Sequence, residues 1–121
     1  MELIEKNDNK LSVQFSKTEF SILSACANHV LYKFAMGAEY NITEATGWKM
    51  NEAKKLAETL RKKENEIDES GILYNCKEKE FHYLIKTIND ATKIIGSEFH
   101  NLTGYEIGDA NLLLKEMQKS I

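Results

Sequence analysis

An approximate internal repeat is the feature that most constrains how this chain can fold. Residues 11–20 line up with residues 72–81 at an offset of 61, and both segments end in a Glu-Phe pair. After a small deletion the alignment continues at an offset of 57, where Gly104-Tyr105 matches Gly47-Trp48. Each copy supplies one strand and two one-sided helices, which are too few to enclose a core alone. The repeat therefore predicts two units that pack against each other through a pseudo-twofold axis.

The whole chain, residues 1–121, is predicted to form one domain. Its 121 residues are enough to bury a real core. Repeat 1 covers approximately residues 11–67 and repeat 2 covers approximately residues 72–121. The strands of the two repeats are expected to lie in one sheet. The repeated Gly-aromatic pairs predict tight turns with positive backbone angles, whose rings anchor the following helix. Stacking of Trp48 and Tyr105 on a base or another ligand is the alternative.

The fold class predicted from hydrophobic periodicity is α+β, mainly helical, with about four helices and a small antiparallel sheet. Residues 1–15 read as a hairpin, because residues 11–15 alternate apolar and polar side chains around a polar turn. Ser16 and Glu19 match a capping box that starts a helix. Apolar stripes then predict four helices, namely from Phe20 to a glycine cap at Gly37, from Ala53 to near Gly71, from Phe81 to Gly96, and from Ala110 to Ile121.

The first predicted helix is unusual because it has no charged side chain between Phe20 and Tyr32. Ile22, Ala25 and Cys26 also lie off its main apolar stripe. A helix of this kind is covered on more than one side. It is either a central helix packed between the sheet and its neighbours or a helix with an exposed binding face.

Composition narrows the class of protein. The net charge of −3 gives no general attraction to nucleic acid or to anionic membranes. Cys26 and Cys76 have neither CxxC spacing nor a framework of further cysteines, so buried reduced thiols are predicted. The first residues are acidic where a signal peptide would be basic, and no apolar stretch approaches the roughly 20 residues of a membrane span. These features predict a soluble cytoplasmic protein.

No motif for catalysis or for a cofactor is recognisable. Cys26 and His29 lie three residues apart on one helix, but no orienting acid or oxyanion loop accompanies them. His29, His82 and His100 lack the spacing of a zinc or iron site, and no phosphate-binding glycine loop is present. The sequence predicts no enzyme, no cofactor and no metal.

An acidic cluster at the end of the second helix is the best candidate for a binding surface. Glu64, Glu66, Asp68 and Glu69 oppose the helix dipole rather than complement it, and would suit a basic protein partner such as a nuclease. The alternative is an ordinary solvated loop.

A second hypothesis is a winged helix-turn-helix. Residues 42–47 would form the turn, the second helix would direct Lys54, Lys55 and Arg61 at phosphates, and residues 71–74 would begin the wing. The matching fourth helix has few basic residues and the net charge is negative, so DNA binding by a transcriptional regulator ranks below binding to a protein.

The repeated pattern resembles that of small bacterial immunity proteins of contact-dependent growth inhibition and related toxin systems. The resemblance is carried by residues 11–20 leading into a helix, and by residues 39–47 leading into Asn51-Glu52-Ala53. It implies a cytoplasmic inhibitor that binds its cognate toxin domain and blocks the active site or the substrate path. The expected partner is therefore a protein, with nucleic acid second and no membrane.

Overall fold

The structure is a computed structural model and describes residues 1–35 and 50–121. Several predictions lie outside these residues: the helix cap at Gly37, the turn at Gly47-Trp48 and the helix-turn-helix turn at residues 42–47. The elements described, in chain order, are β1 (Glu2–Asn7), β2 (Lys10–Phe15), α1 (Lys17–Ala35), α2 (Met50–Glu64), β3 (Ile72–Lys77), α3 (Glu78–Ile95), a 3-10 turn (Gly96–Glu98), α4 (Phe99–Thr103) and α5 (Ile107–Lys119).

The sheet has three antiparallel strands in the order β1-β2-β3. The predicted hairpin of β1 and β2 is confirmed. Leu11, Val13 and Phe15 point inward and are buried, because alternate residues of a strand face opposite sides of the sheet. β2 pairs with β3 in an unbroken register, from Lys10 opposite Lys77 to Phe15 opposite Ile72.

The capping box at the start of α1 is confirmed. The backbone N–H of Ser16 donates to Glu19 Oε1 at 2.8 Å, and the backbone N–H of Glu19 donates to Ser16 Oγ at 3.1 Å. Glu19 also accepts a hydrogen bond from the Met1 ammonium at 2.5 Å, and Glu116 of α5 accepts another at 2.8 Å. The start of α1 is therefore tied to both β1 and α5.

α1 is the central helix of the core, as the first of the two readings of its uncharged sequence predicts. It packs against α2, α3 and α4 and also contacts β2 and α5. Ile22 and Cys26, off the main apolar stripe, are 2% and 0% exposed. Burial on several sides explains why charged residues are missing between Phe20 and Tyr32, since a charge buried without a partner is costly.

Two of the helix predictions are corrected. α2 ends at Glu64 rather than near Gly71, because the chain has to turn within a few residues to begin β3 at Ile72, opposite Phe15. The described residues hold five α-helices rather than four, because residues 99–103 form the short helix α4, which buries Phe99 against the core.

The described residues do not confirm the internal repeat. A 3-10 turn and α4 separate the two long helices of the second half, and the corresponding stretch of the first half lies outside the described residues. The positive backbone angle predicted at Gly104 is confirmed, since its φ is +81° and it caps α4. Tyr105 is half-buried against the core, which agrees with a scaffold role.

Candidate functional site

The four predicted partner-binding residues lie together in the segment that joins α2 to β3. Glu64 is the last residue of α2, and Glu66, Asp68 and Glu69 are exposed in the turn that follows. We call residues 64–69 the acidic turn. The predicted carboxylates therefore lie within six consecutive residues, with three of them exposed and Glu64 half-buried.

Hydrogen bonds hold the acidic turn in a defined conformation. The Asp68 carboxylate accepts from the backbone N–H of Ser70 at 2.9 Å and from its hydroxyl at 2.5 Å. These bonds favour the ionised carboxylate and lower the pKa of Asp68. The backbone N–H of Gly71 donates to the carbonyl of Asp68 at 3.1 Å, and Ile67 packs against the core. Binding would therefore need little reordering of the turn.

The two residues that follow the acidic turn, Ser70 and Gly71, are fixed to the sheet. Gln14 Nε2 of β2 donates to the carbonyl of Ser70 at 3.0 Å. Gly71 has a φ of +90°, and a Cβ atom there would lie 2.0 Å from the carbonyl oxygen of Phe15. Only glycine fits this close approach of two backbones.

Basic side chains precede the acidic turn in the chain. Arg61, Lys62 and Lys63 occupy the last turn of α2, where they complement the negative end of the helix dipole. Positive and negative side chains are thus segregated along neighbouring stretches, so the local charge that a partner meets differs from the net charge of the chain.

A groove of about 540 Å³ opens beside α2. One wall is a single face of α2, because each of its lining residues has another three or four positions away: Glu52, Lys55, Leu56, Thr59 and Lys63. α2 packs on α1 through buried positions that include Ala53, Ala57 and Leu60. That packing leaves the groove face of α2 set apart from β3.

The opposite wall of the groove comes from β3 and the start of α3. Tyr74, Asn75 and Lys77 belong to β3, and Lys79 and Glu80 belong to α3. Four lysines thus line the groove against two glutamates. We call this feature the lysine groove.

Tyr74 forms an apolar base for the lysine groove. It is 3% exposed, and its ring meets that of Phe20 edge to face with centroids 5.6 Å apart. Lys63 Nζ lies 6.0 Å from the centroid of the Tyr74 ring, at cation–π distance. Burial raises the pKa of Tyr74, so this phenol stays neutral. Burial also raises the pKa of the Glu80 carboxyl, although the Lys77 charge acts in the opposite direction.

The candidate nucleophiles are in unreactive surroundings. Both cysteines are free and buried, as predicted. Burial raises the pKa of the Cys26 thiol to about 12, and burial together with the Glu80 charge raises that of Cys76 to about 12. A thiol needs a depressed pKa to act as a nucleophile at neutral pH. The environment of Cys26 therefore argues against a Cys26–His29 pair.

The remaining histidines lie apart on the surface. His82 approaches Glu78 at 3.6 Å within α3, and His100 approaches Glu106 at 3.1 Å. Residues 1–35 and 50–121 contain no group of three or more histidine, cysteine, aspartate or glutamate side chains placed to hold a metal ion. In the same residues, no helix is long and apolar enough to cross a membrane.

One feature of the structure agrees with the winged-helix hypothesis and another disagrees with it. Lys54, Lys55 and Arg61 are exposed, as that hypothesis requires. Arg61 Nη2 donates to Asn28 Oδ1 of α1 at 3.2 Å. However, β3 pairs with β2 and leads directly into α3, so the described chain after α2 contains no hairpin that could serve as a wing.

Sequence reasoning found the acidic turn but missed the lysine groove. The spacing of Lys55, Thr59 and Lys63 on one face of α2 was the available signal, but the opposite wall depends on where β3 lies in the sheet. No protein-family model, curated protein or solved structure matches this chain. Its function is therefore argued from its own surfaces.

Proposed function

We propose that this chain is a non-catalytic protein-binding module, a bacterial cytoplasmic protein of the immunity type. It binds a cognate toxin domain and neutralises it by occlusion. The observation that carries the proposal is the acidic turn, in which Glu66, Asp68 and Glu69 are exposed on a backbone fixed by Ser70 and Gly71.

An acidic surface on an ordered backbone suits the inhibition of a basic partner. A backbone that is already ordered loses less conformational entropy on binding than a mobile loop does. Carboxylates that face a basic surface also speed association and exclude wrongly charged partners. A nuclease is a suitable target, because its substrate path attracts phosphates and would equally attract these carboxylates.

We also propose that the chain is built from two repeats that are related by a pseudo-twofold axis. Two observations support it. The repeated strands β2 and β3 are antiparallel neighbours, and the helices that follow them, α1 and α3, pack on each other.

Affinity capture from the native cells tests the proposed function. Tagged wild-type protein is compared with the Glu66→Lys/Glu69→Lys variant, which reverses two exposed charges and leaves the Asp68–Ser70 bonds intact. The matched control is Glu2→Lys/Glu98→Lys, which makes the same charge change at exposed positions in β1 and the 3-10 turn. Each sample is divided in two, one half is treated with nuclease and the other is not, and both halves are washed at moderate salt.

The expected result is a stoichiometric protein that is toxic when produced alone. It is retained by the wild type and the control, and lost from the acidic-turn variant. Charge-assisted contacts of this kind are worth about 1.5–3 kcal/mol each, so reversing two of them should weaken binding at least tenfold. Recovery of nucleic acid alone, and only without nuclease, would instead contradict the proposal.

A transcriptional regulator that binds DNA is the second candidate, favoured by the exposed lysines of α2. For this function, removing charge at Lys54, Lys55 and Arg61 should abolish binding to DNA. The affinity of the wild type should also fall steeply as salt is raised. Unchanged nucleic-acid binding by this variant would reject the regulator.

A further inference from the structure

The lysine groove runs along the edge of β3 that faces away from β2. Consecutive strand residues point to opposite faces of a sheet, yet Tyr74 and Asn75 both line the groove. A groove that touches both faces of one strand lies at the edge of that strand. β2 occupies the other edge of β3, so the groove follows the edge that no strand of residues 1–35 and 50–121 pairs with.

The backbone of this edge is open within the described residues. Apart from the ladder with β2, no backbone hydrogen bond within residues 1–35 and 50–121 joins residues 72–77 to another strand. An open strand edge presents unpaired N–H and C=O groups that can pair with another extended segment. About 540 Å³ of space lies beside it, within the range of about 300–1,000 Å³ that is typical of binding pockets.

The two edges of the sheet differ in how well they are protected. The outer strand β1 has a register shift between Leu3 and Glu5, and carries the charged side chains of Glu2, Glu5 and Lys6. Bulges and charges are devices that stop unwanted strand pairing. β3 keeps a regular register over its whole length. Of the two outer strands, β3 is therefore the one without a bulge.

The chemistry of the groove selects the kind of segment. Lys55 and Lys63 line it from α2, and Lys77 lines it from β3, so positive charge stands on both walls. Leu56 of the α2 wall and Tyr74 of the β3 wall are 6% and 3% exposed, and they add a small apolar area to the lining. A strand that alternates acidic and apolar side chains would meet both features, because its successive side chains point in opposite directions.

We propose that the lysine groove binds an extended acidic segment of a partner protein, which adds to the sheet as a fourth strand beside β3. Backbone hydrogen bonds to β3 provide affinity, and the lysines select acidic side chains. This site is separate from the acidic turn, so either proposal can fail without the other.

The probe is a capped, fluorescein-labelled octapeptide of alternating glutamate and valine, titrated with the full chain and followed by fluorescence anisotropy. Two matched peptides accompany it. In the first, lysine replaces every glutamate. In the second, every backbone amide is N-methylated, which removes the hydrogen-bond donors along both edges of the peptide and leaves its charge unchanged.

Binding of the acidic peptide is expected, with about tenfold or greater weakening by N-methylation and no binding of the lysine peptide. Lys55→Glu/Lys77→Glu should weaken binding at least tenfold. Lys6→Glu/Lys115→Glu, which changes exposed lysines of β1 and α5, should preserve it. The Glu66→Lys/Glu69→Lys variant should also bind the acidic peptide like the wild type.

Three outcomes would overturn the proposal. These are no binding of the acidic peptide, equal binding of the N-methylated peptide, or equal binding by Lys55→Glu/Lys77→Glu when its circular dichroism is native. Equal binding after N-methylation would mean simple ionic association, which inorganic phosphate would then displace. If Lys55→Glu/Lys77→Glu does not fold, the comparison of the three peptides on the wild-type protein still tests the proposal.

Discussion

Replacing Gly71 by alanine should destabilise this protein far more than the same change at Gly104 or Gly108. The added Cβ would lie 2.0 Å from the carbonyl oxygen of Phe15 and 3.1 Å from the Cα of Ser16. Both neighbours are backbone atoms and cannot rotate away. They belong to the junction of β2 and α1, which holds the capping box of Ser16 and Glu19.

Two costs add at Gly71. A residue with a Cβ in the left-handed region loses about 1–2 kcal/mol relative to glycine. Forcing two packed backbones apart costs a further 1–3 kcal/mol or so, by analogy with overpacked cores. The free energy of unfolding of Gly71→Ala should therefore fall by about 3 kcal/mol. For a chain of this size, that loss lowers the melting temperature by about 10 °C.

Substitutions at two other glycines allow the conformational cost and the steric cost to be measured separately. Gly104 has a φ of +81° with nothing within 4 Å of a built Cβ, so Gly104→Ala should lose only the conformational cost of about 1–2 kcal/mol. Gly108 lies within α5, has no positive φ and also has open space around it. Gly108→Ala should therefore stabilise the protein, by about 0.5 kcal/mol.

The assay is urea unfolding followed by far-UV circular dichroism, with the denaturant slope compared across all four proteins. Equal slopes allow the free energies of unfolding to be compared directly. The steric cost is the difference between Gly71→Ala and Gly104→Ala. A Gly71→Ala variant that is no less stable than Gly104→Ala would refute the close approach of residue 71 to Phe15.

Two further predictions concern titratable groups. Burial opposes ionisation of Glu19, but hydrogen bonds from the Met1 ammonium and Ser16 outweigh it and hold its pKa below the ordinary 4.5. Its stabilising effect is therefore present above pH 4.5 and is lost as the pH falls through the folded-state pKa. Glu19→Gln should cost about 1 kcal/mol near neutral pH, and the difference should disappear in acid-unfolding curves; a constant difference would contradict this. A pKa of about 12 at Cys26, against an ordinary 9.0, leaves about a thousandfold less thiolate at pH 8, so reaction with a disulfide reagent should be slow until urea unfolds the chain. Fast reaction of the native protein would show that the thiol is accessible.

Local patterns in the sequence predict much of this fold because the interactions that create them are themselves local. The capping box of Ser16 and Glu19 begins a helix with contacts that span three residues. The stripe from Phe81 to Gly96 likewise reports the one buried face of α3. The alternation in residues 11–15 reports a strand with one face in the core.

The sequence predictions are wrong or incomplete where contacts between distant parts of the chain determine the structure. Ile67 extends the apolar period of α2 by one further turn, and it does pack against the core. It reaches the core from the acidic turn rather than from a helix, because β3 must begin opposite Phe15. α4 is only five residues long, too short for a helical period to be recognised in the sequence. The lysine groove depends on strand order, which local patterns do not encode.

The separation of charge also changes which experiments can distinguish a protein partner from DNA. The net charge of −3 suggests that steep salt dependence would identify nucleic acid. However, electrostatic effects between exposed groups fade over about 8–10 Å at ordinary ionic strength, so a partner responds to the surface it contacts. Binding at the acidic turn and binding at the lysine groove should therefore both weaken as salt is raised. Nuclease treatment discriminates where salt alone does not, because it destroys one class of partner. The two charge-reversal variants and the N-methylated peptide discriminate as well, because each removes one specific set of contacts and leaves the others in place.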